Sequence, residues 1–105
     1  MTGLIEPLPP ESAEALEAQA RKDLDIAARA QRILEDDLFG DAIAAVREDA
    51  IKAMVDSKID DDEARRIARL KIECLQDVVS EIADRIAGGV LAKDRLQWLE
   101  SQKPN

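Results

Sequence analysis

Residues Asp60–Gly89, DDDEARRIARLKIECLQDVVSEIADRIAGG, decide how the rest of the chain is read. Asp60 can cap a first helical turn, and Glu63, three residues on, can reach back as the other half of a capping box. Asp61, Asp62 and Glu63 put negative charge at the positive end of the helix dipole. Ala68, Ile72, Leu75, Val79, Ile82 and Ile86 then follow in steps of four and three. That heptad spacing holds one apolar seam toward a partner helix. Ile67, Cys74 and Val78 widen the seam on one flank, which predicts packing against more than one neighbour. Gly88 and Gly89 predict the helix end, because glycine readily takes the left-handed conformation of a C-cap.

Upstream, a first helix is expected from Pro10–Ser12 to about Glu35. Proline is tolerated in a first turn, and Glu11, Glu14 and Glu17 suit its positive end. Its stripe is Leu16, Ala20, Leu24, Ala27, Gln31 and Leu34, with Ile26 and Ile33 on a flank. The alanines imply a closely approaching helix. Asp36 and Asp37 mark the next boundary. From about Asp37 to Ser57, Phe39, Ile43, Val46, Ala50 and Met54 form a second stripe, extended by Leu38, Ala42, Ile51 and Val55. Phe39 reads as a plug at the helix corner. Ser57–Asp60 is a connection short enough to demand an antiparallel neighbour. Beyond the double glycine, Val90 to about Ser101 predicts a short further helix. Trp98 and Leu99 on it are candidates for docking a partner or for packing back on the core. The leader, Met1–Pro10, carries Pro7, Pro9 and Pro10 and reads as extended, with Leu4, Ile5 and Leu8 able to lie in a groove. The organisation expected is a leader over 1–10, a helical core over 11–89, and a short C-terminal helix and tail over 90–105.

The 105 residues are 46% apolar but only 2% aromatic, so the core has to be built from Ala, Leu, Ile and Val. That composition, with glycine and proline mostly at element ends, indicates an all-α fold. No window is long and apolar enough to span a bilayer, and the start lacks the pattern of a signal peptide, so a cytoplasmic protein is expected. The chain has no histidine and one cysteine, Cys74, which sits on the apolar flank and reads as a small hydrophobe. Zinc sites and histidine-dependent catalysis therefore lack their ligands and bases. The acidic run at Asp60–Glu63 does not fit an EF-hand, whose sixth position needs glycine. No phosphate-cradling glycine loop is present. The chain reads as a non-enzyme without a cofactor.

Net charge is −8, unevenly spread: residues 1–60 carry seven basic and 14 acidic groups, residues 61–105 eight and nine. Such a field repels phosphate in general. Arg65, Arg66, Arg69 and Lys71 form one basic cluster, read as a salt-bridged surface or as a polar contact for phosphate or an acidic partner. The second, functional reading of the acidic half is an inhibitor or regulator that offers a host nucleic-acid-handling protein a phosphate-like array of carboxylates.

Ile33-Leu34, Leu38-Phe39-x-x-Ala42-Ile43, Asp62-x-x-Arg65 and Ile86-x-Gly88 followed by Ala92 and Leu96 come in an order that resembles short all-helical proteins of tailed phages and prophages. Those proteins are encoded among packaging and head-assembly genes. Small terminase subunits share the size and a central antiparallel helical hairpin that oligomerises into a ring, and the resemblance covers about residues 26–100. The chain departs from the usual layout in lacking a clear basic N-terminal DNA-binding module, which leaves direct DNA contact open. The resemblance implies a homo-oligomeric assembly or DNA-packaging factor, associated with the virion or with the producing cell, that docks on larger packaging proteins. The architecture expected is an antiparallel hairpin or small bundle with a short C-terminal helix. Leu75, Val79, Ile82 and Ile86 would carry helix or subunit contacts, Arg65, Arg66 and Arg69 a polar contact, and Trp98 and Leu99 partner docking.

Overall fold

The computed structural model describes residues 10–103, with side chains from Ser12 on, and consists of three helices: α1 (Pro10–Glu35), α2 (Asp37–Asp56) and α3 (Asp62–Ser101). Among the described residues there is no strand. The readings of Leu4, Ile5 and Leu8 in the leader fall outside them.

A single residue separates α1 from α2. The Asp36 amide closes the last turn on Ile33 O at 3.2 Å, its backbone is extended, and its carboxylate accepts the Phe39 amide at 3.0 Å. A short acidic side chain can do this because the first helical amides have no carbonyl of their own to bond. α2 ends at Ser57, which is again extended and whose hydroxyl donates to Met54 O at 2.7 Å.

Two expectations for α3 are corrected. Its cap is Asp61, whose carboxylate accepts the Ala64 amide at 3.0 Å, and Glu63 is turned to Arg66 instead of back over the first turn. The sequence offers four acids in a row, and periodicity does not choose among adjacent ones. The second correction is larger. α3 does not stop at Gly88–Gly89 but runs 40 residues without a break, so the separate helix expected after Gly89 is its continuation. Neither glycine has positive φ. Glycine inside a helix costs about 0.5–1 kcal/mol relative to alanine, which packing can offset. The offset is visible at Gly89, where a β-carbon would overlap that of Ala27, whose Cα would lie 3.8 Å away.

The chain divides into two compact units. Unit 1 joins the residues up to Arg29 with those from Arg85 on; unit 2 is Ala30–Asp84. In unit 1 the segments meet in reverse chain order, Glu17 near Lys103 and Ala27 near Gly89. Ala20, Gly89, Ala92 and Leu99 are buried there. In unit 2, Ala30, Ala50 and Ala68 are buried, while Leu34, Phe39, Ile43, Met54, Ile72, Leu75, Val79 and Ile82 are half-buried. Among the described residues no large side chain is fully buried. The scarcity of aromatic residues accounts for this: small side chains let helices approach but fill little space between them.

Candidate functional site

The site is built from the two faces of α3 within unit 2. The heptad residues Ile72, Leu75 and Val79 share one hollow with Ile43 and Arg47 of α2, so the seam is turned inward. A stripe following it, Ile67, Leu70, Cys74 and Val78, advances by three, four and four residues and therefore keeps to one face of the helix. That face is open. Ile67, Leu70 and Val78 are 45%, 44% and 50% exposed, and Cys74 is exposed beside them. With Val46 of α2, Lys71 and the edge of Leu75 they border a shallow hollow of about 360 Å³. A smaller hollow continues it along Asp49, Ala50, Ala53, Ala64 and Ala68.

Its lining is aliphatic apart from Lys71 and the Cys74 thiol, with Asp49 on the smaller hollow. A small-molecule site encloses its ligand and aims several polar groups at one point; this surface does neither. Contiguous apolar patches exposed on a folded protein occur at protein or membrane contacts and at ligand grooves. Among the described residues no three His, Cys, Asp or Glu side chains gather where a metal could sit, and no helix is long and apolar enough to cross a membrane.

The basic cluster does not act as one group. Arg65 folds back over the turn between α2 and α3: its guanidinium donates to Lys58 O at 2.7 Å, Ile59 O at 3.0 Å and the Ser57 hydroxyl at 3.1 Å, and pairs with Asp62. Asp61 N closes the same turn on Lys58 O at 2.9 Å. Arg66 grips Glu63 through two bonds of 2.6 and 3.1 Å, and the carboxylate beside it raises the guanidinium pKa further. Arg69 lies 3.5 Å from Glu73. The salt-bridged reading of the cluster holds in the Arg65–Asp62, Arg66–Glu63 and Arg69–Glu73 pairs, whereas Arg65's bonds to the turn went unread because those carbonyls belong to a turn with no sequence signature beyond its length. Ile59, on that turn, is 95% exposed.

Trp98 and Leu99 part company. Leu99 is buried in unit 1, while Trp98 is 47% exposed, with Leu91 exposed seven residues before it on the same face. Of the four seam residues expected to carry helix or subunit contacts, Leu75, Val79 and Ile82 lie in unit 2 and Ile86 in unit 1, all half-buried. The sequence pattern pointed to Ile67, Cys74 and Val78 as a flank but missed Leu70, which completes it, and missed that the flank and not the seam stays open. No family model, curated protein or solved structure compared with this chain matches it.

Proposed function

We propose that this chain is a non-enzymatic, self-associating assembly factor, its unit an antiparallel helical hairpin, of the kind that tailed phages use in DNA packaging or head assembly. One observation carries the self-association: the buried positions are almost all alanine, while bulky aliphatic side chains stand open in a continuous stripe on α3. Burying such surface contributes roughly 25 cal/mol per Å², so a surface of this kind gains by association. Arg65, Arg66 and Arg69 are each engaged by groups of the chain itself, which supports a protein contact over a phosphate one. The packaging assignment rests on the resemblance in residues 26–100, and Trp98 with Leu91 is the surface offered to a larger packaging protein.

Light scattering across a dilution series tests the reading. A dimer or larger closed species that dissociates on dilution is the expected result. A closed species of many subunits supports the narrower, small-terminase-like ring; a dimer removes that form alone. A monomer at every concentration overturns self-association. The acidic first half of the chain would then become the feature to explain, by charge-reversal variants on α1 tested against nucleic-acid-handling proteins.

A further inference from the structure

We propose that the hollow beside the inward seam binds one medium-chain carboxylate, with Arg47 anchoring its head and Gln76 and Ser80 as further polar contacts. The site lies across α3 from the open flank. It goes beyond the self-association reading and does not rest on it. Gln76 and Ser80 follow Cys74 and Val78 by two residues, so each is about 200° further round the helix.

The hollow measures about 420 Å³, and its aliphatic part is Ile43, Ile72, Leu75 and Val79. Pockets of about 300–1,000 Å³ with apolar walls and a few polar groups are the usual holders of small ligands. The polar lining here is Arg47, Gln76 and Ser80, with no acid among it. Among the described residues, none of these three side chains makes a hydrogen bond or ion pair with the chain. The positions three and four residues from Arg47 are Ile43, Ala44, Ala50 and Ile51, so its own helix offers it no carboxylate. On a chain of net charge −8, an uncompensated cation beside two neutral polar groups selects an anion.

Length and charge define the class of ligand. On α3 the lining runs from Ile72 to Ser80, about 12 Å of helix. The flank hollow instead continues into a second one, and the two border α3 from Ala64 to Val78. A short socket suits an acyl chain, whereas a docked helix needs anchors over the longer groove. One guanidinium matches one carboxylate through two parallel bonds. A phosphate of higher charge would face the negative field of the chain with a single cation to hold it.

Titration calorimetry with decanoate tests the site, with decanol as an uncharged probe of the same length. Saturable binding of one decanoate per chain is expected. Arg47→Gln should weaken it about tenfold, the worth of a charge-assisted hydrogen bond. Decanol should bind the wild type and Arg47→Gln alike, and Lys71→Gln, on the open flank, should leave decanoate binding unchanged. Arg47 is exposed and glutamine matches its helix propensity, so the variant should keep its fold, which circular dichroism checks. Methyl-resolved NMR locates the ligand: decanoate should shift Ile43, Ile72, Leu75 and Val79 and leave Ile67, Leu70 and Val78 in place. Shifts confined to the flank overturn the site, as does decanoate binding indifferent to Arg47→Gln. Absence of saturable binding overturns it too and leaves the self-association reading standing.

Discussion

Unit 1 and unit 2 use the same residue at their buried positions and reach different degrees of closure. In unit 1, Ala20, Ala27, Gly89 and Ala92 remove the side-chain spacer between α1 and the second half of α3, and a bulky residue, Leu99, is buried as well. In unit 2, Ala30, Ala50 and Ala68 are as buried, yet the heptad seam is only half covered and the flank beside it is open. The difference teaches that alanine admits a neighbouring helix without deciding how much large side-chain surface that neighbour covers. A glycine contact without a spacer brings α1 and α3 together in unit 1, although Leu91 and Trp98 stay exposed there; unit 2 has no such contact among the described residues, and its aliphatic flank is open.

The comparison breaks most easily at the double glycine. Gly89→Ala puts a β-carbon onto that of Ala27, a short rigid side chain that cannot swing away, so the helices must separate. Overpacking of this kind costs about 1–3 kcal/mol. Gly88→Ala meets nothing within 4 Å and should stabilise by about 0.5–1 kcal/mol through helix propensity. Urea unfolding followed by circular dichroism reads both. Equal effects of the same sign would show that the close contact at Gly89 does not organise unit 1.

In unit 2 the corresponding weak point is the turn. Arg65→Ala takes the charged donor from Lys58 O, which keeps the Asp61 amide, leaves Ile59 O to water and loosens Ser57, with an expected cost of about 1–2 kcal/mol, since hydrogen bonds to charged groups are worth more than neutral ones but these are partly open to solvent. Arg65→Lys should recover little, because one ammonium cannot span acceptors that a planar guanidinium reaches together. A smaller loss, about 1 kcal/mol, is expected for Asp61→Ala, against almost none for Asp60→Ala. If Asp60 proved the costlier position, the helix would start a residue earlier than described.

What could be read from sequence follows from which forces are local. The extents of α1 and α2 and the aspartate at their junction were legible, because caps and apolar periodicity act within a few residues. The inward turn of Ile72, Leu75 and Val79 was legible as a seam, though not which helix it meets. Gly88–Gly89 misled because the residue that favours a helix end also favours a close helix contact, and only Ala27, some sixty residues away in sequence, decides between them. Arg65 misled for a like reason: its partners are main-chain carbonyls, which every residue has and no sequence pattern marks.

The smallest effect probes the far end of unit 1. Arg21, bonded to the Glu17 carboxylate at 2.8 Å, and then Lys103, through its charge, hold the Glu17 pKa below its ordinary 4.5. A carboxylate lowered in the folded state adds stability that is complete above its unfolded pKa and is lost as pH falls through the folded one. The dependence therefore lies below about pH 4.5 and is absent at neutral pH. Carboxyl-resolved NMR titration should show Glu17 moving up toward its ordinary value in Arg21→Ala and, by less, in Lys103→Ala. Arg21 is on the same helix as Glu17 and acts even in an isolated α1. Lys103 acts only if the end of the chain beyond α3 returns to the first turns of α1, so a Glu17 pKa indifferent to Lys103 would confine the close packing of unit 1 to the neighbourhood of Ala27 and Gly89.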